Sequence, residues 1–210
     1  VIDGLLYTSG IFYDGASKQL VLVYNPQSNT WTNLPGSTVP RDFGSFGGVI
    51  GNKLYVAGGT SDRFKSLEVY DPVPKSWTVM ASMPTPRNGA ISVVISNQLY
   101  VFGGVKSVGG GESLAVEVYD SQTNNWSSLP SMPASSSGRA AALCNGKIYF
   151  MGGGDSGGST EMVLFDPANN SWSSGPPMPT KRRDLGAVAV GNKVFAIGGS
   201  IWPVWMPMSL

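Results

Sequence analysis

A regular spacing of tryptophans is the feature that most constrains the fold of this chain. Trp31, Trp77, Trp126 and Trp172 are separated by 46, 49 and 46 residues. An aromatic residue precedes each tryptophan by seven positions and opens a turn phrase, as in Tyr70-Asp71-Pro72. The aromatic residues are Tyr24, Tyr70, Tyr119 and Phe165. Such a period indicates a repeat protein in which each copy is one supersecondary unit.

Pairs of glycines follow the same period. Each pair ends a short apolar run, as Leu54-Tyr55-Val56-Ala57 precedes Gly58-Gly59. The other pairs are Gly103-Gly104, Gly152-Gly153 and Gly198-Gly199. Leu5-Leu6-Tyr7-Thr8 before Ser9-Gly10 is a degraded fifth copy. Four features that hold one register exclude a chance repeat.

Each unit is predicted to form four strands. A small apolar first strand such as Ala90–Ile95 is followed by a turn that contains Asn, a residue that tolerates positive φ in tight hairpins. The second strand ends at the glycine pair, and the third shows period-two alternation, as at Val116 and Val118. The fourth holds the tryptophan and stops at a Met-Pro or Leu-Pro phrase, because proline cannot donate to a ladder. No stretch shows helical periodicity, so the prediction is all-β.

The strand positions divide the chain into repeat units. We count five second strands and four each of the first, third and fourth strands. The predicted units are residues 1–40, 41–86, 87–135 and 136–181, with a partial unit at 182–200 and a divergent tail at 201–210. Four complete repeats plus a partial one are therefore expected.

The combined phrases resemble the kelch repeat: a glycine pair, then Tyr-Asp-Pro, then Trp, then Met-Pro-x-x-Arg. The resemblance covers nearly the whole chain and implies a β-propeller of four-stranded antiparallel blades, which must stack on one another to bury both faces. It also implies that the glycine pairs allow close backbone approach and that the Tyr and Trp residues pack between blades. The structural residues so assigned are Gly58, Gly59, Tyr70, Trp77, Gly103, Gly104, Tyr119, Trp126, Gly152, Gly153, Phe165, Trp172, Gly198 and Gly199.

The number of repeats leaves the ring open to three interpretations. The chain is a fragment of a longer propeller, a small ring closed by joining its ends, or a segment that another chain completes. The tail that begins Ile201-Trp202-Pro203 either covers an exposed strand edge or is a divergent end.

Composition removes several classes of function. The chain has no histidine and one cysteine, Cys144, which excludes a disulfide within the chain, a cysteine zinc cluster and every nucleophile–histidine pair. We therefore expect neither a metal nor another cofactor. The net charge is +1 and no apolar run approaches about 20 residues, so neither nucleic-acid binding nor a membrane span is expected. A chain that starts at Val1 without a leader predicts that any targeting segment is already missing.

One loop face is the candidate functional site. The loops after the glycine pairs and those after the Met-Pro phrases lie at the same ends of antiparallel strands, and they vary most. Arginines enter this face ten residues after a tryptophan, except that Ser136 takes that place in one unit and Arg139 follows it. The predicted partner-binding rim comprises Arg41, Asp42, Arg87, Asn88, Ser136, Arg139, Arg182, Arg183 and Asp184.

Two roles remain open for these arginines. The resemblance implies the first, because in kelch proteins that bind acidic peptides such arginines engage carboxylates, which a guanidinium holds bidentately. In the second role, one arginine in each blade ties neighbouring loops together by bonding backbone carbonyls.

A non-catalytic protein-interaction or substrate-recognition module is the leading hypothesis, with a protein or peptide partner for which acidic character is one option. The alternatives are a structural subunit of a larger assembly and an enzyme. Copper and iron enzymes of the kelch superfamily rely on histidine, so only a carboxylate site remains for catalysis; the candidates are Asp62, Glu112, Asp155 and Asp184. The composition fits the cytosol or the exterior, and the cytosol is slightly favoured.

Overall fold

The computed structural model describes residues 1–13, 17–39, 41, 44–59, 65–106, 110–154 and 157–201. All regular secondary structure in these residues is β-strand. No helix that could cross a membrane occurs among them. The strands are β1 Leu6–Tyr13, β2 Ser17–Asn25, β3 Thr30–Pro35, β4 Ser45–Ile50, β5 Lys53–Gly58, β6 Leu67–Asp71, β7 Ser76–Val79, β8 Ile91–Ile95, β9 Gln98–Phe102, β10 Val116–Asp120, β11 Asn125–Leu129, β12 Arg139–Cys144, β13 Lys147–Gly152, β14 Met162–Asp166, β15 Ser171–Ser174, β16 Arg183–Val190 and β17 Lys193–Ser200. The all-β prediction is confirmed.

The strands form five antiparallel meanders in two compact units. The unit Val1–Leu129 holds a three-stranded sheet, β1–β2–β3, and two four-stranded sheets, β4–β7 and β8–β11. The unit Pro130–Leu210 holds the four-stranded sheet β12–β15 and the pair β16–β17. The expected five second strands and four of each other kind are all present. Within the described residues, the first sheet lacks a first strand and the last sheet stops after its second.

Two-residue turns join the first and second strands, as predicted. Ile50 pairs with Lys53, which leaves only Gly51 and Asn52 in the loop, at φ +52° and +61°. Positive φ at both central positions is the type I′ geometry that matches the twist of a hairpin. Asn145 and Gly146 repeat this arrangement between β12 and β13.

The glycine pairs allow close backbone contact where each second strand ends. Gly104 has φ +91°, and a Cβ placed there would lie 2.6 Å from the carbonyl oxygen of Asn88. A Cβ on Gly152 would lie equally close to the carbonyl oxygen of Arg182. Any larger residue at these two positions would therefore push the neighbouring segment away.

Aromatic pairs and indole hydrogen bonds join the repeats. Tyr119 lies opposite Trp126 on adjacent strands, with ring centroids 5.2 Å apart. Each of three tryptophans donates its indole N–H to a carbonyl four residues beyond the preceding tryptophan. The bonds are Trp77 to Pro35 at 3.0 Å, Trp126 to Ala81 at 2.8 Å and Trp172 to Pro130 at 3.1 Å. The tryptophan thus connects its own fourth strand to the segment that leaves the preceding repeat.

A hydrophobic core lies between the neighbouring sheets of each unit. In the unit Val1–Leu129, Tyr55 and Leu67 of one sheet pack in a cluster with Leu99 and Tyr119 of the next. In the unit Pro130–Leu210, β12 packs against β16. Within each unit the small first strands therefore lie against each other, β4 against β8 and β12 against β16, which explains their glycine and alanine content.

Candidate functional site

The two groups of loops that were predicted to share a face meet in the structure. Asn88, which follows a Met-Pro phrase, exchanges two backbone hydrogen bonds of 2.9 Å with Val105, which follows a glycine pair. The backbone carbonyl of Arg182 accepts a hydrogen bond of 2.9 Å from the Gly153 amide, and the Arg182 amide donates one of 3.0 Å to the carbonyl oxygen of Ser159. We call these two groups of loops the loop rim. Asp42, Asp62 and Asp155 lie outside the described residues.

Arg87 lies at the loop rim with its side chain turned into the sheet β8–β11. The side chain is 0% exposed and forms an ion pair with Glu117 of β10. Its Nη1 donates to the carbonyl oxygens of Gly103 at 3.1 Å and Ala115 at 2.7 Å. Glu117 also accepts hydrogen bonds from the backbone and hydroxyl of Thr85, at 3.0 and 2.7 Å. The pair thus ties the rim segment before β8 to the second and third strands.

Arg41 repeats this arrangement in the sheet β4–β7. Its side chain is 2% exposed, and its Nη2 lies 3.2 Å from Oε2 of Glu68, which is 0% exposed. Its Nη1 donates to the carbonyl oxygen of Gly58. Thr38 and Val39 donate backbone hydrogen bonds to Glu68 at 3.0 and 3.2 Å.

Burial and the facing carboxylate shift the pKa values of Arg41 and Arg87 in opposite directions. Burial lowers the pKa of Arg41 and of Arg87, because the charged form loses its hydration. Glu68 and Glu117 raise those pKa values again through charge and hydrogen bonding. Each glutamate therefore compensates in part for the hydration that the guanidinium loses inside the sheet.

The sheet β12–β15 holds its ion pair at different positions. Ser136 stands where the sheets β4–β7 and β8–β11 have arginine, and Val163 stands where those two sheets have glutamate. The arginine of this sheet is Arg139, three residues after Ser136. It pairs with Glu161, which lies two residues before Val163. Compared with the sheets β4–β7 and β8–β11, both members of the ion pair occupy shifted positions in the sequence. This indicates that the arginine and the glutamate stabilise the sheet as a pair.

The last sheet has an arginine without a glutamate. Arg182 donates from Nε to the hydroxyl of Thr180 at 3.0 Å and from Nη1 to the carbonyl oxygen of Gly198 at 3.0 Å. No acidic side chain within the described residues forms an ion pair with it. Arg183 pairs with Asp184 at 2.9 Å, and the Asp184 side chain is 56% exposed.

Arg41 and Arg87 therefore have the second of the two roles that the sequence left open, the bonding of backbone carbonyls. Ser136 is buried and Asn88 is half-buried, so neither offers a large contact area. Sequence reasoning missed Glu68 and Glu117. The available signal was a glutamate two residues before the aromatic residue in both of these units and its replacement in the unit where serine replaces arginine.

The residues that could support catalysis or hold a metal are sparse in the described part of the chain. It contains no group of three or more His, Cys, Asp or Glu side chains placed to hold a metal ion. Cys144 is buried in β12, with its Sγ 3.9 Å from the carbonyl oxygen of Gly191.

Comparison with known proteins reveals relatives that cover part of the chain. Kelch-like protein 26 of Danio rerio is 34% identical over 107 residues, which is 50% of this chain and 18% of the relative. Kelch-like protein 21 of Bos taurus is 34% identical over 97 residues, 44% of this chain and 15% of the relative. Kelch-like protein 15 of Gallus gallus is 38% identical over 89 residues, 41% of this chain and 18% of the relative. The matched segments span less than a fifth of each relative's length.

A solved structure and a family model cover nearly all of the chain. The solved structure, described as "Structure of YjhT", aligns with a TM-score of 0.80 at 23% identity and covers 95% of this chain and 75% of that one. With the antiparallel four-stranded sheets, this alignment confirms the predicted kelch-type β-propeller fold class. Residues 1–199 match the model of the KLHDC2/KLHL20/DRC7 Kelch-repeats domain. The chain therefore belongs to the KLHDC2/KLHL20/DRC7 Kelch-repeats domain family.

Proposed function

We propose that this chain is a non-catalytic protein-interaction module that binds a protein or peptide partner at the loop rim. The observation that carries the proposal is the difference in burial among the charged residues of that rim. Arg41 and Arg87 are buried in the sheets, whereas Lys181 and Asp184 of the loop rim are exposed to solvent. Loops held by a rigid sheet scaffold are where binding specificity usually resides.

The part of the loop rim next to β16 fits an acidic partner. Residues 181–184 read Lys-Arg-Arg-Asp, three cations and one anion. Lys181 is exposed, and within the described residues it has no ion pair. Positive charge on an exposed rim accelerates association with an acidic surface and adds specificity. We assign the main partner contacts to Lys181, Arg183 and Asp184.

A charge-reversal experiment tests this assignment. The wild-type chain and a Lys181→Glu variant are used in parallel for quantitative affinity capture from the native source, followed by binding measurements with the recovered protein. A Lys75→Glu variant is the matched control, because Lys75 is also exposed but lies in the turn between β6 and β7. We expect Lys181→Glu to weaken partner binding about tenfold and Lys75→Glu to leave it unchanged.

Three outcomes would reject the proposal. A partner that binds Lys181→Glu and the wild type equally does not use this part of the loop rim. A partner lost equally from both variants responds to net charge alone. Elution of the purified chain at several times its monomer mass, with no captured partner, would favour a structural subunit instead.

A further inference from the structure

A buried tyrosine hydroxyl near the turn between β6 and β7 carries a second inference, which is independent of partner binding at the loop rim. Tyr70 is 0% exposed, and its hydroxyl has no hydrogen-bond partner within the described residues. The equivalent hydroxyls are bonded, since Tyr24 donates to Asn29 and Tyr119 donates to Asn124, each at 2.9 Å. A buried polar group without a partner destabilises a fold, so such groups are rare in folded proteins.

A lysine replaces the residue that would accept this hydrogen bond. Lys75 stands five residues after Tyr70, where three other repeat units have Asn29, Asn124 and Asn170. All four of these turn residues have positive φ, between +53° and +55°. Asn tolerates this left-handed conformation better than Lys does, so the turn has lost an acceptor and gained backbone strain. Strain of this kind concentrates at functional sites.

The neighbouring interface shows what the replacement removes. Asn124 accepts a second hydrogen bond, of 2.9 Å, from the Ala81 amide of the preceding repeat. Pro35 stands at the position equivalent to Ala81 and has no amide hydrogen. The contact by which an asparagine joins two repeats therefore cannot form between Lys75 and Pro35. This difference follows from residue identity at equivalent positions of the two interfaces.

A cleft of about 270 Å³ lies beside Tyr70 and Lys75. Its other walls include Tyr7 of β1, Val23 of β2 and Leu34 of β3, so three strands of the preceding sheet enclose it. Its volume is close to the lower end for small-molecule sites, about 300 Å³. The cleft therefore offers an apolar wall opposite one buried hydroxyl and one cation.

The polar groups of the cleft favour an anion. They are the Lys75 ammonium and the hydroxyls of tyrosines and Thr32, and none of the described residues that line the cleft is acidic. Lys75 is exposed and has no ion pair within the described residues. The nearby carboxylate of Asp71 is already paired with Lys53 at 2.8 Å. A cation beside an unbonded hydroxyl suits a carboxylate, which accepts hydrogen bonds from both.

We propose that this cleft is a binding site for a small organic carboxylate. The Lys75 ammonium and the Tyr70 hydroxyl hold the anionic group, and the apolar body of the ligand lies against Val23 and Leu34. The bound anion thus supplies the acceptor that Asn124 supplies in the next repeat. The cleft lies at the turn between third and fourth strands, at the opposite end of the strands from the loop rim.

The test compares two ligands of the same shape. Phenylacetate is the probe, and phenylacetamide, which lacks the charge, is its matched control. Ligand-observed NMR titrations of the full chain measure both dissociation constants. We expect phenylacetate to bind about tenfold more tightly, because the amide loses a charge-assisted contact. Acetate should bind more weakly than phenylacetate, because it leaves the apolar wall uncovered.

Three variants separate binding from stability. Lys75→Asn removes the cation, relieves the strained turn and gives Tyr70 an acceptor, so the preference for phenylacetate should disappear while the midpoint of urea unfolding rises. Tyr70→Phe removes a hydroxyl without a partner, so it should weaken phenylacetate binding about threefold or more without lowering the midpoint. Tyr119→Phe is the matched control, because it breaks the bond to Asn124 and should lower the midpoint without changing phenylacetate binding.

Three results would overturn the proposal. Equal binding of phenylacetate and phenylacetamide to the wild type, or binding of neither, would show that the cleft is not a carboxylate site. A preference that survives in Lys75→Asn would place the carboxylate elsewhere. A midpoint that falls as far in Tyr70→Phe as in Tyr119→Phe would show that the Tyr70 hydroxyl already has a partner.

The two lysine variants of the loop-rim experiment distinguish this proposal from the previous one. Lys75→Glu should lose the preference for phenylacetate and keep its rim partner. Lys181→Glu should bind phenylacetate like the wild type and lose its rim partner. Loss of phenylacetate binding in Lys181→Glu would contradict the assignment of the carboxylate to this cleft.

Discussion

The sheets β8–β11 and β12–β15 share almost every packing feature but handle their buried charge differently. Both join an aromatic residue to a tryptophan on the next strand, at 5.2 and 4.9 Å between ring centroids. In the first, both members of the Arg87–Glu117 pair are buried, at 0% and 2% exposure. In the second, Arg139 is 4% exposed and Glu161 is 45% exposed. Apolar packing thus repeats faithfully, while the ion pair moves along the strands and changes its solvation.

The difference teaches that the rim ion pair is coupled to a position in the sheet rather than to a single residue. A buried arginine without its carboxylate would be an uncompensated charge in a low-dielectric site. Replacement of the arginine by Ser136 was therefore compatible with the fold only together with Val163 and a new pair nearby.

Removal of Arg87 should cost the most. Arg87→Met leaves Glu117 buried without its cation, and we expect the free energy of unfolding in urea to fall by about 3 to 5 kcal/mol. The double variant Arg87→Met/Glu117→Met should recover most of that loss, because replacing a whole buried pair by apolar residues is nearly neutral. A double variant no more stable than the single would contradict the pairing.

Glu161→Ala should cost far less than Glu117→Ala. Glu161 is nearly half exposed, so water replaces much of the lost interaction and the expected cost is about 1 kcal/mol or less. Glu117 is buried, so its removal should cost about 3 kcal/mol or more. Equal losses for the two variants, measured by urea unfolding, would remove the distinction between the sheets.

The glycine pairs should be equally strict in both sheets. Gly104→Ala and Gly153→Ala each place a Cβ 2.6 Å from a backbone oxygen at positive φ, and we expect each to cost about 1 to 3 kcal/mol. Gly111→Ala is the control, because a Cβ there meets nothing within 4 Å and its φ is not positive. If Gly104→Ala is as mild as Gly111→Ala, the close approach does not constrain the strand ends.

The tryptophan link should contribute comparably to each sheet. Trp126→Phe and Trp172→Phe lose the indole donor to the preceding repeat, and each should cost about 1 kcal/mol or somewhat more. Trp31→Phe is the control, since Trp31 is 58% exposed and its indole N–H forms no hydrogen bond within the described residues. Thermal and urea unfolding measure all three, and an equal cost at Trp31 would argue against the link.

The turn aspartates should give the smallest effect and the clearest pH signature. Backbone hydrogen bonds from Thr123 and Gln122 lower the pKa of Asp120, and a bond from Ala168, followed by one from Lys147, lowers that of Asp166. Since the folded pKa lies below the unfolded value of about 3.9, each group adds stability above that pH and loses it as pH falls through the folded pKa.

Asp120→Asn and Asp166→Asn should therefore lower stability relative to the wild type at about pH 6, and that difference should shrink as pH falls below about 3.9 and through the folded pKa. About 1 M NaCl should shrink the Asp166→Asn effect more, because only Asp166 faces a lysine and salt screens that pair. An Asp120→Asn effect that grows as pH falls would reverse the sign and reject the explanation.

Local patterns in the sequence were sufficient for the fold. Strand count, two-residue turns and the glycine positions follow from alternation, from Asn and Gly at positive φ, and from the period of the aromatic residues. The loop face was also predictable, because antiparallel strands place alternate loops at the same end. The orientation of Arg41 and Arg87 was not, since a charged residue on a loop is equally compatible with facing solvent or a buried carboxylate.

The sequence by itself determined an all-β repeat chain of the kelch family, in which glycine, tryptophan and turn residues hold one register. Those properties depend on backbone conformation and on spacing along the chain, and the local sequence determines both. Only the tertiary structure decided which arginines form buried ion pairs within the sheets, because Arg87 and Glu117 are 30 residues apart and meet only when strands pair. It likewise decided that Arg182 donates to the carbonyl oxygen of Gly198, because strand pairing rather than residue type sets which groups meet.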